Sequence, residues 1–478
     1  MDDPRAADSD LALPAGTYDA TLRQAAEIAL RFRHTLAIRP QRPIKSFAEM
    51  RHAFAAPLPE EGRQGPAVIE ELAALSDPGL AAMTGPRFFG WVMGASHPIG
   101  VAADWLTSAW GQNCGGHTVT PAAAACEETA AKWLLDLLDL PRGSSVGFAT
   151  GATVANLTCL AAARGELLHR AGWDVEANGL FGAPPIRVII GEEAHVSVFS
   201  ALQILGLGHN RVTRIPTDDM GCMKIGDFES AIVDGEEPTM VITQAGHINT
   251  GAFDPIARIA EIAHRKNAWV HVDGAFGLWA RACPEKAALA AGIDKADSWA
   301  TDGHKWLQLP YDCGFAIVRD EDAHRRAMAI TASYLPAAAA DERNPSHYVP
   351  ELSRRARAFT AWAMIRALGR EGVAQLVAHH CRIARRMALA LREESGIRIL
   401  NEVELNQVVA RFGSDDHLTN KVIERIQADG TCFAAGAQWK GLAIMRLSVT
   451  SWATTADDAD RSVAAIIGAW RAVQAEAG

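Results

Sequence analysis

The rhythm of apolar and polar positions changes near Ser145. Upstream, residues 17–37 carry apolar side chains at helical spacing, and Pro40 and Pro43 end the run, so residues 1–80 predict helices joined by polar loops. A further helix is predicted in TPAAAACEETAAKWLLDLLDLP, with Thr120 as N-cap and Pro121 in the first turn. From Ser145 short β-rich runs alternate with helical stretches: SVGFAT, RVIIG, MVITQ, AWVHVDGA and GFAIVRD. That alternation predicts an α/β fold with a mostly parallel sheet covered on both faces, in which ligands gather at the carboxyl ends of the strands. After Tyr334 the stretch LPAAAADERNPSHYVP, poor in large apolar residues, predicts a mobile surface loop. A long helical stretch runs from about Glu351 to Glu394 with a break near Gly369. Two strands follow, RILNEVELNQVVARF and AIMRLSVTSW, and then a closing helix from Asp457. The predicted organisation is an N-terminal helical segment (1–95), a large domain (96–350) and a smaller C-terminal α+β domain (351–478).

Composition narrows the function classes. With 478 residues, 49% hydrophobic and 21% charged, the chain can bury a large core and more than one domain. Its net charge of −10 and lack of a basic stripe argue against a nucleic-acid partner. MDDPRAADSD has no apolar core of a secretory signal, and no run of about 18 apolar residues predicts a membrane span. Eight scattered cysteines without a CxxC pair read as reduced cytoplasmic thiols, with no metal site expected.

The residues with chemical potential lie just past the β-rich runs. In ADSWATDGHKWLQLPYDCGFAIVRD, Lys305 follows His304 and precedes Trp306 with few other charges nearby. In an apolar pocket a lysine loses its proton more readily, and the neutral amine forms a Schiff base with an aldehyde. A surface lysine is the alternative. In AWVHVDGAFG, Asp273 ends a buried apolar run and needs a partner, for which a protonated pyridine nitrogen is suited. A turn aspartate is the competing reading. Ala275 would set a small side chain against the ring. His195, in VIIGEEAHVSVFSA, either stacks on the other ring face or is a core histidine held by backbone. Thr150, Gly151, Ala152 and Thr153 form a small-residue turn opening a helix, where backbone N–H groups suit a phosphate. An aldehyde, a pyridine and a phosphate together describe pyridoxal 5′-phosphate.

This set, in this order, resembles the pyridoxal-phosphate-dependent group II decarboxylases, which include aromatic-L-amino-acid, histidine and glutamate decarboxylases. The resemblance runs from about Pro86 into the C-terminal region. Its most specific piece is His-Lys-Trp at 304–306 followed by Asp312 and Cys313, with HVDGA and the SRRAR run from Ser353 in step. It implies the type I pyridoxal-phosphate fold and a homodimer with sites at the interface. It also implies that Lys305 carries the cofactor, and that His195 and Asp273 hold the ring. Tyr334, in TASYLP, matches the family's loop tyrosine that returns a proton to carbon; the alternative is a tyrosine that anchors the loop. Four positions depart from the aromatic decarboxylases: His247 and Ile248 replace threonines, Asp302 an asparagine, and Gly94 a hydroxyl residue. NCGGHTV replaces a bulky apolar stretch, which puts an aromatic substrate in doubt.

The expected activity is decarboxylation of a small-molecule L-amino acid. An aldehyde synthase, C–C lyase or aminotransferase on the same frame is the alternative. Trp91, His97, Asn113 and His117, in the Gly/Trp/His-rich stretch that follows residue 85, are candidate substrate residues, expected to close the site of a second subunit. Arg446 either meets a substrate carboxylate or pairs with an acid in the smaller domain.

Overall fold

In a computed structural model of the protein, residues 15–232, 237–329 and 343–477 are described. Among them, seven strands form the main sheet: β1 (Ser145–Ala149), β2 (Arg187–Gly191), β3 (Val212–Ile215), β4 (Thr239–Gln244), β5 (Trp269–Asp273), β6 (Ser298–Asp302) and β7 (Gly314–Val318). Their order is β1-β7-β6-β5-β4-β2-β3. β6, β5, β4, β2 and β3 are paired in parallel, and β7 runs antiparallel to both β1 and β6. Every residue of β1, β5, β6 and β7 is buried, as expected of strands covered on both faces. On one face, helix Ala152–Arg170 packs Ala155, Cys159 and Leu160 against Ile190, Ile242 and Ala300. On the other, Val241, Val270 and Trp299 meet Leu134, Ile259 and Trp279.

A second, antiparallel sheet is formed by β8 (Ile397–Ile399), β9 (Gln407–Phe412), β10 (Ala435–Trp439) and β11 (Leu442–Ser448), in the order β10-β11-β9-β8. Helices Asp416–Asp429 and Ala456–Ala477 cover it through Val422, Ile426, Ile466 and Trp470. Helix Ala358–Arg392 belongs to both cores: Ala361, Met364 and Val377 pack in the first, and Ile383, Met387 and Leu391 in the second. Gly369, at φ 62°, breaks it where the sequence predicts a break.

The helix begins at Ala358 rather than near Glu351, because the SRRAR residues before it are tied elsewhere. Arg354 donates to Glu127, to the Phe148 carbonyl and to the Cys114 carbonyl, and Arg357 pairs with Asp312. Thr120 stands at the predicted N-cap, with Pro121 as the first helical residue. Its hydroxyl nevertheless donates to the Asn113 and Gly116 carbonyls and makes no capping bond. β3, β6 and β10 form strands that the hydrophobic pattern does not announce; β3 is short with a single buried residue, and β10 alternates with exposed positions.

Candidate active site

Four loops at the carboxyl ends of the sheet converge, as expected of parallel strands covered by helices. The loop after β1 turns through Thr150 and Gly151 into helix Ala152–Arg170. The loop after β2 carries His195, which caps helix Val196–Ile204. β5 ends on Asp273, and β6 ends on Asp302 three residues before Lys305. A cavity of about 330 Å³ lies among them. It is lined by Thr150, Gly151, Ala152 and Thr153 from the first loop, His195 and Ser197 from the second, Ala275 beyond β5, and Asp302, His304 and Lys305 beyond β6. His195 also borders a smaller, deeper space with Asp273, Glu193 and Asp254.

The electrostatics follow from burial. The Asp273 carboxylate is 4% exposed and accepts one backbone N–H, from Ala275 at 3.3 Å. Burial pushes its pKa above the ordinary carboxylate value, while His195 and Lys305 act in the opposite direction. Burial pushes the His195 imidazole below its ordinary value, opposed by Asp273. Its Nδ1 lies 2.8 Å from the Ser197 hydroxyl and accepts the Ser197 N–H, which leaves Nε2 to carry the proton of the neutral ring.

Lys305 does not sit in the apolar pocket that the sequence suggests. Its Nζ is 2.9 Å from Asp302 Oδ2. The turn after β6 folds the lysine back over the last strand residue, a proximity that linear spacing does not reveal. The other oxygen, Asp302 Oδ1, accepts the Ala152 N–H at 2.6 Å and lies 3.4 Å from His304 Nε2.

The lysine loop is clamped by residues that the hydrophobic pattern did not single out. Gln308, fully buried at φ 59°, donates to the Lys305 and Thr450 carbonyls and accepts the Ala95 and Trp452 N–H groups. Trp306 donates its indole N–H to His380 Nδ1 at 2.7 Å. Gly94 donates to the His304 carbonyl, and a Cβ on it would fall 2.3 Å from the Lys305 carbonyl oxygen. The side chain missing at this departure from the family pattern is thus explained by close backbone approach. His247, another departure, lies 3.0 Å from Glu193. Glu193 also accepts from Trp439 of β10 and from Thr217, so the pair ties the His195 loop to the second sheet. Burial opposes ionisation of Glu193, but the bonds from His247, Trp439 and Thr217 outweigh it and bring its pKa to about 2.

The other sequence candidates lie apart. Trp91 is 50% exposed and stacks near Phe88 and Phe433, and His97 packs against Trp452. Asn113 accepts the Arg354 N–H, and His117 contacts Asn344. None of these four lines the cavity. Arg446, buried on β11, donates to Asn249 at 3.0 Å, and its Nε has no partner among the described residues. Burial lowers its pKa to about 10, its charge helps to lower the pKa of His195, and it is not among the residues that line the cavity. Tyr334 lies outside the described residues.

This donor set fits pyridoxal phosphate: an amine, a buried carboxylate with no salt-bridge partner among the described residues, a planar ring and the N–H groups opening a helix, around two spaces that share His195. Comparison with known proteins agrees. Residues 48–412 match the model of the pyridoxal-dependent decarboxylase conserved domain. The chain is 26% identical over 424 residues to an aromatic-L-amino-acid decarboxylase of Bacillus atrophaeus, covering 86% of each protein. It is 26% identical to a 4-hydroxyphenylacetaldehyde synthase of Rhodiola rosea, covering 92% of this chain and 91% of that one. The crystal structure of Oryza sativa TDC with PLP and tryptamine has the same fold, with a TM-score of 0.89 at 21% identity over 96% of this chain and 99% of that chain. The chain belongs to the pyridoxal-dependent decarboxylase family, and is a pyridoxal-phosphate enzyme of the carboxy-lyase class with the type I fold.

Proposed function

We propose that this protein removes the carboxylate of an L-amino acid with pyridoxal phosphate joined to Lys305. The observation that carries the reading is the convergence of Lys305, His195 and the opening of helix Ala152–Arg170 on one cavity, with Asp273 and His195 both lining the smaller space beside it. When bound, the cofactor supplies an electron-withdrawing ring that takes up the electron pair left as carbon dioxide departs.

The chain's own residues have separate tasks. Asp273 holds the proton on the ring nitrogen, because its buried charge is satisfied by a cation there. His195 and Ala275, which line the cavity, would confine the ring. Gly151, Ala152 and Thr153 receive the phosphate, small enough to let backbone approach. His304 borders the same end. Arg446, whose Nε has no partner among the described residues, offers its guanidinium to a substrate carboxylate. Tyr334 returns a proton to carbon and helps keep water out.

The protein acts as a cytoplasmic homodimer. Trp91, Ile99, Trp105, Leu106 and Trp110 expose apolar surface on and just before helix Pro98–Trp110, the stretch assigned to closing the partner's site. Trp91, His97, Asn113 and His117 then meet substrate across that interface, which accounts for their absence from the cavity of one chain. Light scattering that returns a fully active monomer would remove this part.

The likeness to an aldehyde synthase favours a second reading, in which the same frame releases an aldehyde. Carbon dioxide release measured across the amino acids, with amine and aldehyde quantified together, tests both. Stoichiometric amine supports decarboxylation. Aldehyde with ammonia and peroxide supports the second reading, and no carbon dioxide from any amino acid refutes both.

A further inference from the structure

Asp302 stands where aromatic decarboxylases carry an asparagine, and its surroundings show what the change does. The carboxylate is 2% exposed, and its contacts all go to groups assigned to the cofactor: the Ala152 N–H at 2.6 Å, Lys305 Nζ at 2.9 Å and His304 Nε2 at 3.4 Å. Gly151 permits this fit, since a Cβ there would lie 3.3 Å from Asp302 Oδ1 and 3.0 Å from the His304 ring. Ala152 is the first residue of its helix, so its N–H has no acceptor within the helix and is among those an anion would use. An asparagine can turn its amide to donate to a phosphate oxygen. An aspartate only accepts, and it repels a dianion.

We propose that Asp302 weakens the phosphate end of the cofactor site by competing with the phosphate for the Ala152 N–H. Retention of the cofactor in this protein then depends more on Lys305 and Asp273 than on the phosphate. Asp302 is a positioning residue on this account: in the unloaded protein it holds both the helix opening and the Lys305 ammonium. The proposal rests on the assignment of the helix opening as the phosphate cradle.

Pyridoxine 5′-phosphate and pyridoxine both lack the aldehyde, so neither can join Lys305, and the difference between them reports the phosphate alone. Calorimetric titration of each into the full-length protein freed of cofactor, as wild type and as Asp302→Asn, is the test. The Asn variant is expected to bind pyridoxine 5′-phosphate about tenfold more tightly, the scale of removing one partly screened like charge, with pyridoxine changed by less than about twofold. Asp302→Ser, also uncharged, serves if the Asn form does not fold. Unchanged or weaker binding of the phosphate ligand, or an equal gain for both ligands, overturns the proposal. If the cradle assignment itself fails, wild type and the Asn variant both bind the two ligands equally. If only the competition fails, wild type prefers the phosphate ligand and the Asn variant prefers it no more.

Discussion

Replacing Asp273 with asparagine isolates the electrostatic centre of the site. Asp273 ends β5 in full burial and accepts a single backbone N–H, from Ala275. A buried carboxylate without a bound cation is unfavourable by several kcal/mol, and a protonated ring nitrogen relieves that cost. A hydrogen bond to a charged partner contributes about 1.5–3 kcal/mol, or roughly ten- to a hundred-and-fifty-fold in affinity. Asparagine keeps the shape and the hydrogen-bonding capacity but loses the charge. Cofactor affinity should therefore fall by about tenfold, the low end of that range. Turnover should fall further, by at least about a hundredfold, because only the carboxylate keeps the ring nitrogen protonated as charge develops. Titration with pyridoxal phosphate, followed by visible absorbance, gives the affinity, and carbon dioxide release at saturating cofactor gives kcat. An Asp273→Asn protein that turns over at the wild-type rate would show that this carboxylate does not tune the ring.

Further outcomes follow from other parts of the molecule. Tyr334→Phe should lower amine formation more than substrate consumption, with aldehyde, ammonia and peroxide in its place; an unchanged product ratio would leave Tyr334 as a loop anchor. Glu127→Ala should destabilise the fold by about 3–5 kcal/mol, read from urea midpoints, because Arg354 and Glu127 are both fully buried 2.8 Å apart and the arginine would lose its charge partner; a loss under about 1 kcal/mol would contradict this. Burial holds His271, His324 and His380 at about 3, below the ordinary 6.5. Between those values the unfolded chain binds protons that the folded chain does not, so stability falls as pH falls through that window. From pH 7 to pH 5.5 the loss is about 1 kcal/mol per histidine, and a urea midpoint that is flat or higher at pH 5.5 would refute it.

The frame of the site was legible because its residues end or follow runs of apolar β-formers. RVIIG leads to His195, WVHVD ends on Asp273, and SVGFA opens onto the small-residue turn at Gly151. What was hidden depends on distance in sequence. The Glu127–Arg354 pair joins residues 227 apart, and nothing local marks either as buried. Gln308 is a lone amide in an apolar run, and only the fold shows that it clamps the lysine loop to Ala95 and Thr450. β6 reads SWATD, with polar residues in place of the usual apolar run, so its end on Asp302 and the resulting contact with Lys305 went unseen. Trp91, His97, Asn113 and His117 have the composition of a site but lie outside the cavity, because composition alone does not tell which face of the fold a loop residue meets.

The central claim is that Lys305 carries the cofactor. Reduction of the loaded protein with borohydride, then digestion and peptide mapping, fixes the cofactor on whichever lysine holds it. The pyridoxyl group should be found on the peptide containing His304, Lys305 and Trp306, and Lys305→Ala should lose both the label and the visible absorbance band while keeping its fold. A label on any other lysine, or an undiminished band in Lys305→Ala, would contradict the assignment.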